Sequence, residues 1–473
     1  MLDNTRMDRH YTGEFNILDE KISGDLIYNK QNGVILLNLI KEINSESLFG
    51  KSYGTIPVIV GKLNSGTTVT LFNNRCTNNH TQAFSSQQLH FVARYMIWSK
   101  SECSNSKYNK MVCVLQNAYQ WSGFSAFEET EDGIKVKDKI DKKVFNWFGA
   151  KITFYSSLND SLFTLPREEE TKIIQRLCVE IETSEKCDVK EFVAIRNKII
   201  SFISFAIKNN VNVEEQYLCD YDDSYLVANT ITDYRKYYLY TSEPALAVLK
   251  TRRWEYNFQL EDISDEKNIL IELEKLEPIL NLYLSLFKYQ DMPSEMVFLN
   301  IVQALETFHA RFFYGDKKEK YVQSVKERFG DSERYRKLLL CDTQIDENCK
   351  YIILVSRLND LLIGKNDGLF CEYYIENEEY AQTIADTRHY YTHYGKSKEQ
   401  KALKDDKLLD AIYILRLLLE YHVCQVLGID RRDAIAKELR RHREWTQLNE
   451  KQAQINQTVL EATNVQSITE PTI

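Results

Sequence analysis

Apolar and polar residues follow a strand rhythm in the first part of the chain and a helix rhythm in the last. Short runs at Thr55–Val60, Thr67–Phe72, Met111–Leu115 and Lys151–Tyr155 carry Val, Ile, Thr and aromatics between turn residues, which predicts strands. Asn64-Ser65-Gly66, between two of these runs, has the loop chemistry of a hairpin. A strand over Leu177–Ile181 leads to Asp188 and Glu191, which are spaced to cap a helix reciprocally. Phe192, Ile195, Ile199, Phe202 and Ile203 then keep helical spacing toward Lys208. Strand-like sequence returns at Asn212–Cys219 and Lys236–Tyr240, and Trp254–Leu260 closes this mixed half.

Near Ser264 the period changes. Ile269–Phe287, Ser294–Phe313, Tyr321–Arg328, Tyr351–Leu362, Glu378–Tyr394 and Leu403–Leu427 all carry helical spacing, Pro293 suits a helix start, and Gly395 and Gly428 suit helix ends. The pattern predicts an α+β multidomain chain. A β-rich mixed domain covers residues 1–265, an all-α domain 266–430, and a basic helical tail 431–473, with a polar, frayed end from Asn464. Within 431–444 six Lys or Arg stand against three acids, a net of +3. Such mixed charge is the ordinary dress of an exposed helix.

Composition narrows the class. The chain has 473 residues, 43% of them hydrophobic and only 6 of them proline, as expected of a folded protein with more than one core. No run has the apolar length of a membrane span, and the polar start lacks a signal-peptide core, so a cytoplasmic location is expected. A net charge of −9 argues against bulk attraction to nucleic acid, so any RNA contact must be local. The 10 cysteines are scattered without a Cys-x-x-Cys pair and read as reduced thiols. Cys76-x3-His80 has no second pair near it in sequence, so neither a metal site nor a cofactor is expected. Trp121, Trp147 and Trp254 read as core residues.

The candidate chemistry lies in residues 378–398, EEYAQTIADTRHYYTHYGKSK. Ala381, Ile384, Ala385 and Tyr391 supply a buried stripe and leave Arg388, His389 and Thr392 nearer a polar side. Arg388 and His393 lie about 140° apart on an ideal helix, so a shared pocket needs the helix end at Gly395 to deform, or a second copy facing the first. An arginine and a histidine suit cleavage of RNA, whose ribose 2′-hydroxyl is a built-in nucleophile. A histidine with a free pKa of about 6.5 moves the proton at neutral pH, and the guanidinium stabilises charge on the phosphate. Lys396 and Lys398 sit where flanking phosphates would pass. Taken alone, Arg-x4-His is a common spacing that usually marks a solvated or packed helix.

Arg388-His-Tyr-Tyr-Thr-His393, late in an all-α domain, resembles the Arg-x4–6-His signature of HEPN ribonucleases. LNIVQALETFHARFF, residues 299–313, is similar to the first motif helix of the ApeA-like HEPN branch, whose acidic residue corresponds to Glu306. YGTIPVIVGKLNSGTTVTLF, residues 53–72, resembles the N-terminal domain of ApeA-type antiphage proteins. The resemblance covers most of the chain up to about residue 430. It implies a HEPN-like helical bundle that forms a homodimer or higher homo-oligomer and cleaves RNA without metal at a composite site. It also implies that the protein arrests phage growth by abortive infection, with transfer RNA a frequent substrate of such toxins and a phage-encoded trigger a possible partner.

The catalytic candidates are Arg388, His393 and Glu306, the last holding Arg388 through a carboxylate–guanidinium pair. Glu306 otherwise projects opposite the apolar stripe of Val297, Ile301, Ala304, Phe308 and Phe312, where a glutamate ordinarily meets water. Candidate RNA contacts are Lys396, Lys398, Tyr390, Thr392 and His309. Packing is the ordinary role of the tyrosines, and a structural histidine that of His309. The competing reading is a non-catalytic HEPN-type protein that dimerises and binds RNA or a toxin. A ligand-binding role for the β-rich half is a third, with no ligand identified. Residues 1–265 are expected to act as a sensor or brake; a 266–473 fragment no more toxic than the whole chain would dismiss that idea.

Overall fold

The computed structural model describes residues 9–18, 20–42, 54–82, 86–99, 107–131, 133–158, 173–227, 231–249, 251–263, 266–289, 291–314, 318–330, 332–340, 352–364, 368–370 and 379–467. The sequence-predicted helix ends at Tyr351 and Glu378, the boundary at 264–265, and four of the cysteines (103, 341, 349 and 371) lie outside these residues. Two compact units emerge, Met1–Asp262 and Ile263–Ile473.

The first unit begins with six strands: β1 Arg9–Ile17, β2 Glu20–Asn29, β3 Val34–Glu42, β4 Thr55–Leu63, β5 Thr68–Gln82 and β6 Ser86–Val92. They close a ring in the order β1-β2-β3-β6-β5-β4, every pair antiparallel. The sequence encodes this largely as alternation, so that Phe15, Leu26, Ile35, Leu37, Ile59, Leu71, Leu89 and Phe91 fill the interior, although Thr68–Leu71 of β5 are buried throughout. Gly13 and Gly24 sit opposite each other across β1 and β2. A Cβ on Gly13 would stand 2.6 Å from the Lys62 carbonyl oxygen, and one on Gly24 would press on the Asn38 carbonyl, so both glycines permit a close approach of strands.

β5 is long enough to belong to two structures. Its residues Thr68–Phe72 pair with β7 (Tyr95–Ser99), and Arg75–Gln82 pair with β6. Between them Asn73 takes the left-handed conformation, φ 55°, and buried Asn74 donates to the carbonyls of Ile56 (3.1 Å) and Leu71 (3.0 Å). The strand thereby changes partner without orphaning its backbone.

From β7 an antiparallel sheet continues through β17 (Tyr237–Thr241), β14 (Asn212–Cys219), β8 (Lys107–Gln116), β13 (Gln175–Asp188), β12 (Ala150–Leu158) and β11 (Lys142–Trp147). Two small hairpins accompany it, β9 Phe127–Thr130 with β10 Gly133–Val136, and β15 Ser224–Val227 with β16 Ile231–Tyr234. The short α1, Tyr119–Ser122, and α2, Val189–Ile207, pack against β13. Asp188 and Glu191 cap α2 reciprocally, as their spacing predicts, at 2.9 Å each. Phe192, Phe202 and Phe205 on α2 meet a core holding Trp121, Trp147 and Phe154, with Trp121 and Trp147 fully buried. Trp254 departs from expectation. It is 65% exposed, and the Arg252 guanidinium lies 4.8 Å from its ring.

The second unit is helical: α3 Glu266–Lys288, α4 Ser294–His309, α5 Lys318–Phe329, α6 Glu333–Leu340, α7 Leu354–Asn359, α8 Tyr380–His393, α9 Lys396–Glu399, α10 Asp405–Val426 and α11 Arg432–Ser467. α4 lies at its centre, touching α3, α7, α8 and α10. Its apolar content explains this, because Phe298, Ile301, Val302, Ala304, Leu305 and Phe308 are buried on more than one side. Two helices open into π turns, Ala310–Tyr314 after α4 and Asp360–Gly364 after α7, where periodicity alone predicts unbroken helices. The tail is helical through Ser467, further than its polar composition predicts, and packs on the bundle through Ile435 and Leu439. No described helix is long and apolar enough to cross a membrane.

Candidate active site

The site is built where α8 ends against α4. Ala381, Ile384, Asp386 and Thr387 bury one side of α8, and the Tyr391 ring meets Phe298 of α4 edge to face at 6.4 Å. The chain after α8 folds back and is tied to it three times. Thr387 Oγ1 accepts from the Leu403 amide (3.0 Å), the Tyr391 hydroxyl donates to the Leu403 carbonyl (2.9 Å), and Lys398 Nζ pairs with Asp386 at 2.6 Å. Burial pushes the Tyr391 phenol up from its ordinary value. These ties fix the last turn of α8. Tyr394, rather than Gly395, takes the left-handed position, φ 50°, and its amide closes on the Tyr390 carbonyl at 2.5 Å.

Within this frame the Arg388 guanidinium faces the Glu306 carboxylate across the α4–α8 packing, Nη2 to Oε2 3.8 Å, with both side chains about one-third exposed. The distance is that of an ion pair, too long for a hydrogen bond. His389 and His393, one turn apart, place their ring centroids 4.9 Å from each other at 54° on the exposed side of α8. The Thr392 hydroxyl donates to the Arg388 carbonyl at 2.7 Å. No hydrogen bond among the described residues links Arg388 to His393, in keeping with their angular separation on the helix. One copy therefore presents a carboxylate–guanidinium pair and, beside it, an imidazole pair.

His389 stands closer to His393 than its direction from Arg388 suggests. Arg388 points it aside when the helix is read from the arginine, whereas the four-residue spacing to His393 places both imidazoles together. The other candidates divide. Lys396 and Thr392 are exposed, Tyr390 is half-buried with Lys404 Nζ 5.6 Å from its ring, and Lys398 is engaged by Asp386. His309 lies in the interior, contrary to a role in touching RNA. Its ring is 0% exposed, Nε2 lies 3.0 Å from Asp360 Oδ2, and Arg357 Nη1 approaches Nδ1 at 3.3 Å. Arginine only donates, so His309 carries its hydrogen on Nε2 and donates it to Asp360. Arg328 Nη2 supplies Asp360 with a second donor at 2.8 Å.

A helical bundle whose late helix ends in Arg-x4-His, with a carboxylate from a central helix against the arginine, is the arrangement that the resemblance to HEPN domains implies. Residues 299–433 match the family described as Apea-like HEPN, and residues 10–272 match ApeA N-terminal domain 1, which alone spans more than half of the chain. The protein belongs to the ApeA-like HEPN family. HEPN domains are in general nucleases that dimerise and bind RNA. No curated protein and no solved structure matches the chain.

If Glu306 orients Arg388, Glu306→Gln lowers turnover by about fivefold while leaving the fold intact. An ion pair this exposed is worth on the order of 1 kcal/mol. Single-turnover cleavage and a melting curve on the same preparation check this; an unchanged rate removes Glu306 from the site.

Proposed function

We propose that this protein is a cytoplasmic antiphage endoribonuclease that cleaves RNA, with transfer RNA as its substrate class, by attack of the ribose 2′-hydroxyl. The observation that carries this reading is the Glu306–Arg388 pair standing beside the exposed His389–His393 pair at the end of one helix. His393 takes the proton of the 2′-hydroxyl, and O2′ attacks phosphorus. The bond from phosphorus to the 5′-oxygen breaks, leaving a 2′,3′-cyclic phosphate. The departing 5′-oxygen receives its proton from an imidazolium, supplied by His393 of a second copy in a composite site. Arg388 donates to the phosphoryl oxygens as negative charge grows on them. The nucleophile belongs to the substrate, so proton transfer and charge stabilisation suffice, and no metal takes part. The N-terminal unit serves as the sensor that holds the enzyme quiet until a phage-encoded trigger arrives.

The test is incubation of purified protein with total bacterial RNA and with matched DNA in EDTA, alone and with lysate of phage-infected cells. Cleavage of RNA only, leaving 2′,3′-cyclic ends, is expected. RNA bound but uncut in both conditions makes this a binding protein, and cutting of DNA overturns the 2′-hydroxyl mechanism.

A further inference from the structure

α11 continues from the bundle for some 25 residues beyond His442, about 38 Å at the rise of an α-helix, and lies almost wholly outside the matched HEPN region. Its first turns are anchored. Ile435 and Leu439 are buried, Arg431 pairs with Glu438 at 2.7 Å, and the His442 ring stacks on Tyr413 at 4.2 Å. The apolar stripe then changes face. Trp445 and Leu448 are 61% and 64% exposed, and on an ideal helix they lie about 100° around the axis from the anchored residues. They open a run of three- and four-residue steps: Trp445, Leu448, Gln452, Ile455, Val459, Ala462. Val465 falls beside this seam, while Leu460 lies toward the far side of the helix.

A repeat of 3.5 residues matches the seam of a two-stranded coiled coil, and in proteins most helical stability comes from packing an apolar face against a neighbour. We infer that the C-terminal helix pairs in parallel and in register with the same helix of a second copy through the Trp445–Ala462 seam. Self-pairing is favoured by the flanking residues. In a parallel pair Glu444 meets Asn449, Lys451 meets Asn456 and Thr458 meets Thr463, so identical copies bring no like charges together. Gln452 interrupts the apolar repeat at a seam position, opposite the same residue of the other copy when the two are in register. That is the device by which a single polar seam residue fixes alignment. The consequence for catalysis rests on the composite site proposed above: such pairing holds two HEPN domains together even when the protein is dilute. The pairing itself stands without it.

Equilibrium sedimentation of the full-length protein tests this, comparing the native chain with Leu448→Glu/Ile455→Glu on the seam and Gln447→Glu/Gln454→Glu off it. Both variants change the charge equally. The seam variant is expected to show half the native mass with an unchanged melting curve for the bundle, while the off-seam variant keeps the native mass. Equal mass for native and seam variant, or a native chain already monomeric, overturns the proposal. Gln452→Cys oxidised with diamide is expected to give a peptide linked 452 to 452; its absence overturns the register. Mass is read without reference to RNA, so failure of the nuclease reading leaves this result intact. A monomeric seam variant with full cleavage would overturn the composite site instead.

Discussion

His393→Ala is expected to reduce RNA cleavage by about 10²- to 10⁴-fold, the range lost when a positioned acid–base group is removed. Arg388→Ala should cost about 10²- to 10³-fold through lost stabilisation of the pentavalent phosphate. The two losses should not multiply, because proton transfer and charge stabilisation serve one transition state. Arg388→Lys should rescue little, since a point charge does not reproduce the fork of guanidinium donors. His389→Ala separates two versions of the chemistry. A loss comparable to that of His393→Ala would make the imidazole pair the working unit, and a small loss would leave His393 as the proton carrier. The readout is the rate of formation of 2′,3′-cyclic ends in EDTA. Rates within threefold of native for both Arg388→Ala and His393→Ala would remove this helix end from the mechanism.

Asp360→Asn is expected to have the largest effect on stability. Asp360 is fully buried and accepts from His309 and Arg328, while Arg357 donates to the far side of the His309 ring. Burial alone pushes the carboxyl up, but the His309 hydrogen bond and the Arg328 charge outweigh it and hold the group below its ordinary 3.8. A depressed carboxylate contributes its stability above that ordinary value and loses it as pH falls through the lower folded one. The native helical unit should therefore weaken in acid below about pH 4, a dependence that the asparagine variant lacks. Removing the charge takes the carboxylate away from the buried His309 and from the Arg328 guanidinium and should cost about 3 kcal/mol, or roughly 6–12 °C of melting temperature for a unit of this size. Calorimetry across the acid range checks both parts. A melting temperature unchanged by the substitution would show that the network contributes nothing to the fold.

Local chemistry was legible in the sequence, and distant pairing was not. The Asp188–Glu191 cap and the Gly66 turn, φ 83°, depend on residues a few positions apart, and both stand where their spacing puts them. The barrel is different. Nothing in Arg9–Ile17 announces that it pairs with β2 on one side and β4 on the other, because closure is decided by strands dozens of residues away. The two π turns were hidden for a related reason. Each adds one residue to a turn whose apolar spacing still reads as helix. At the site, residue types and spacing offered Arg388 and His393 only as a common pair, and resemblance gave that pair its weight and named Glu306. Only coordinates bring the Glu306 carboxylate to the arginine and take His309 out of reach of substrate.

The double membership of β5 also bears on how the β-rich unit avoids sticking to itself. A barrel has no border strand, and β5 carries its ladder directly into the open sheet, so among the described strands this thirteen-stranded assembly ends at one border only, β11. β11 begins with Lys142 and Lys143, and the Lys143 ammonium is tethered to the Leu260 carbonyl at 2.7 Å. Fixed cations on a border strand discourage another chain from adding to it. Among the described strands, the one open border of this sheet thus begins with two lysines.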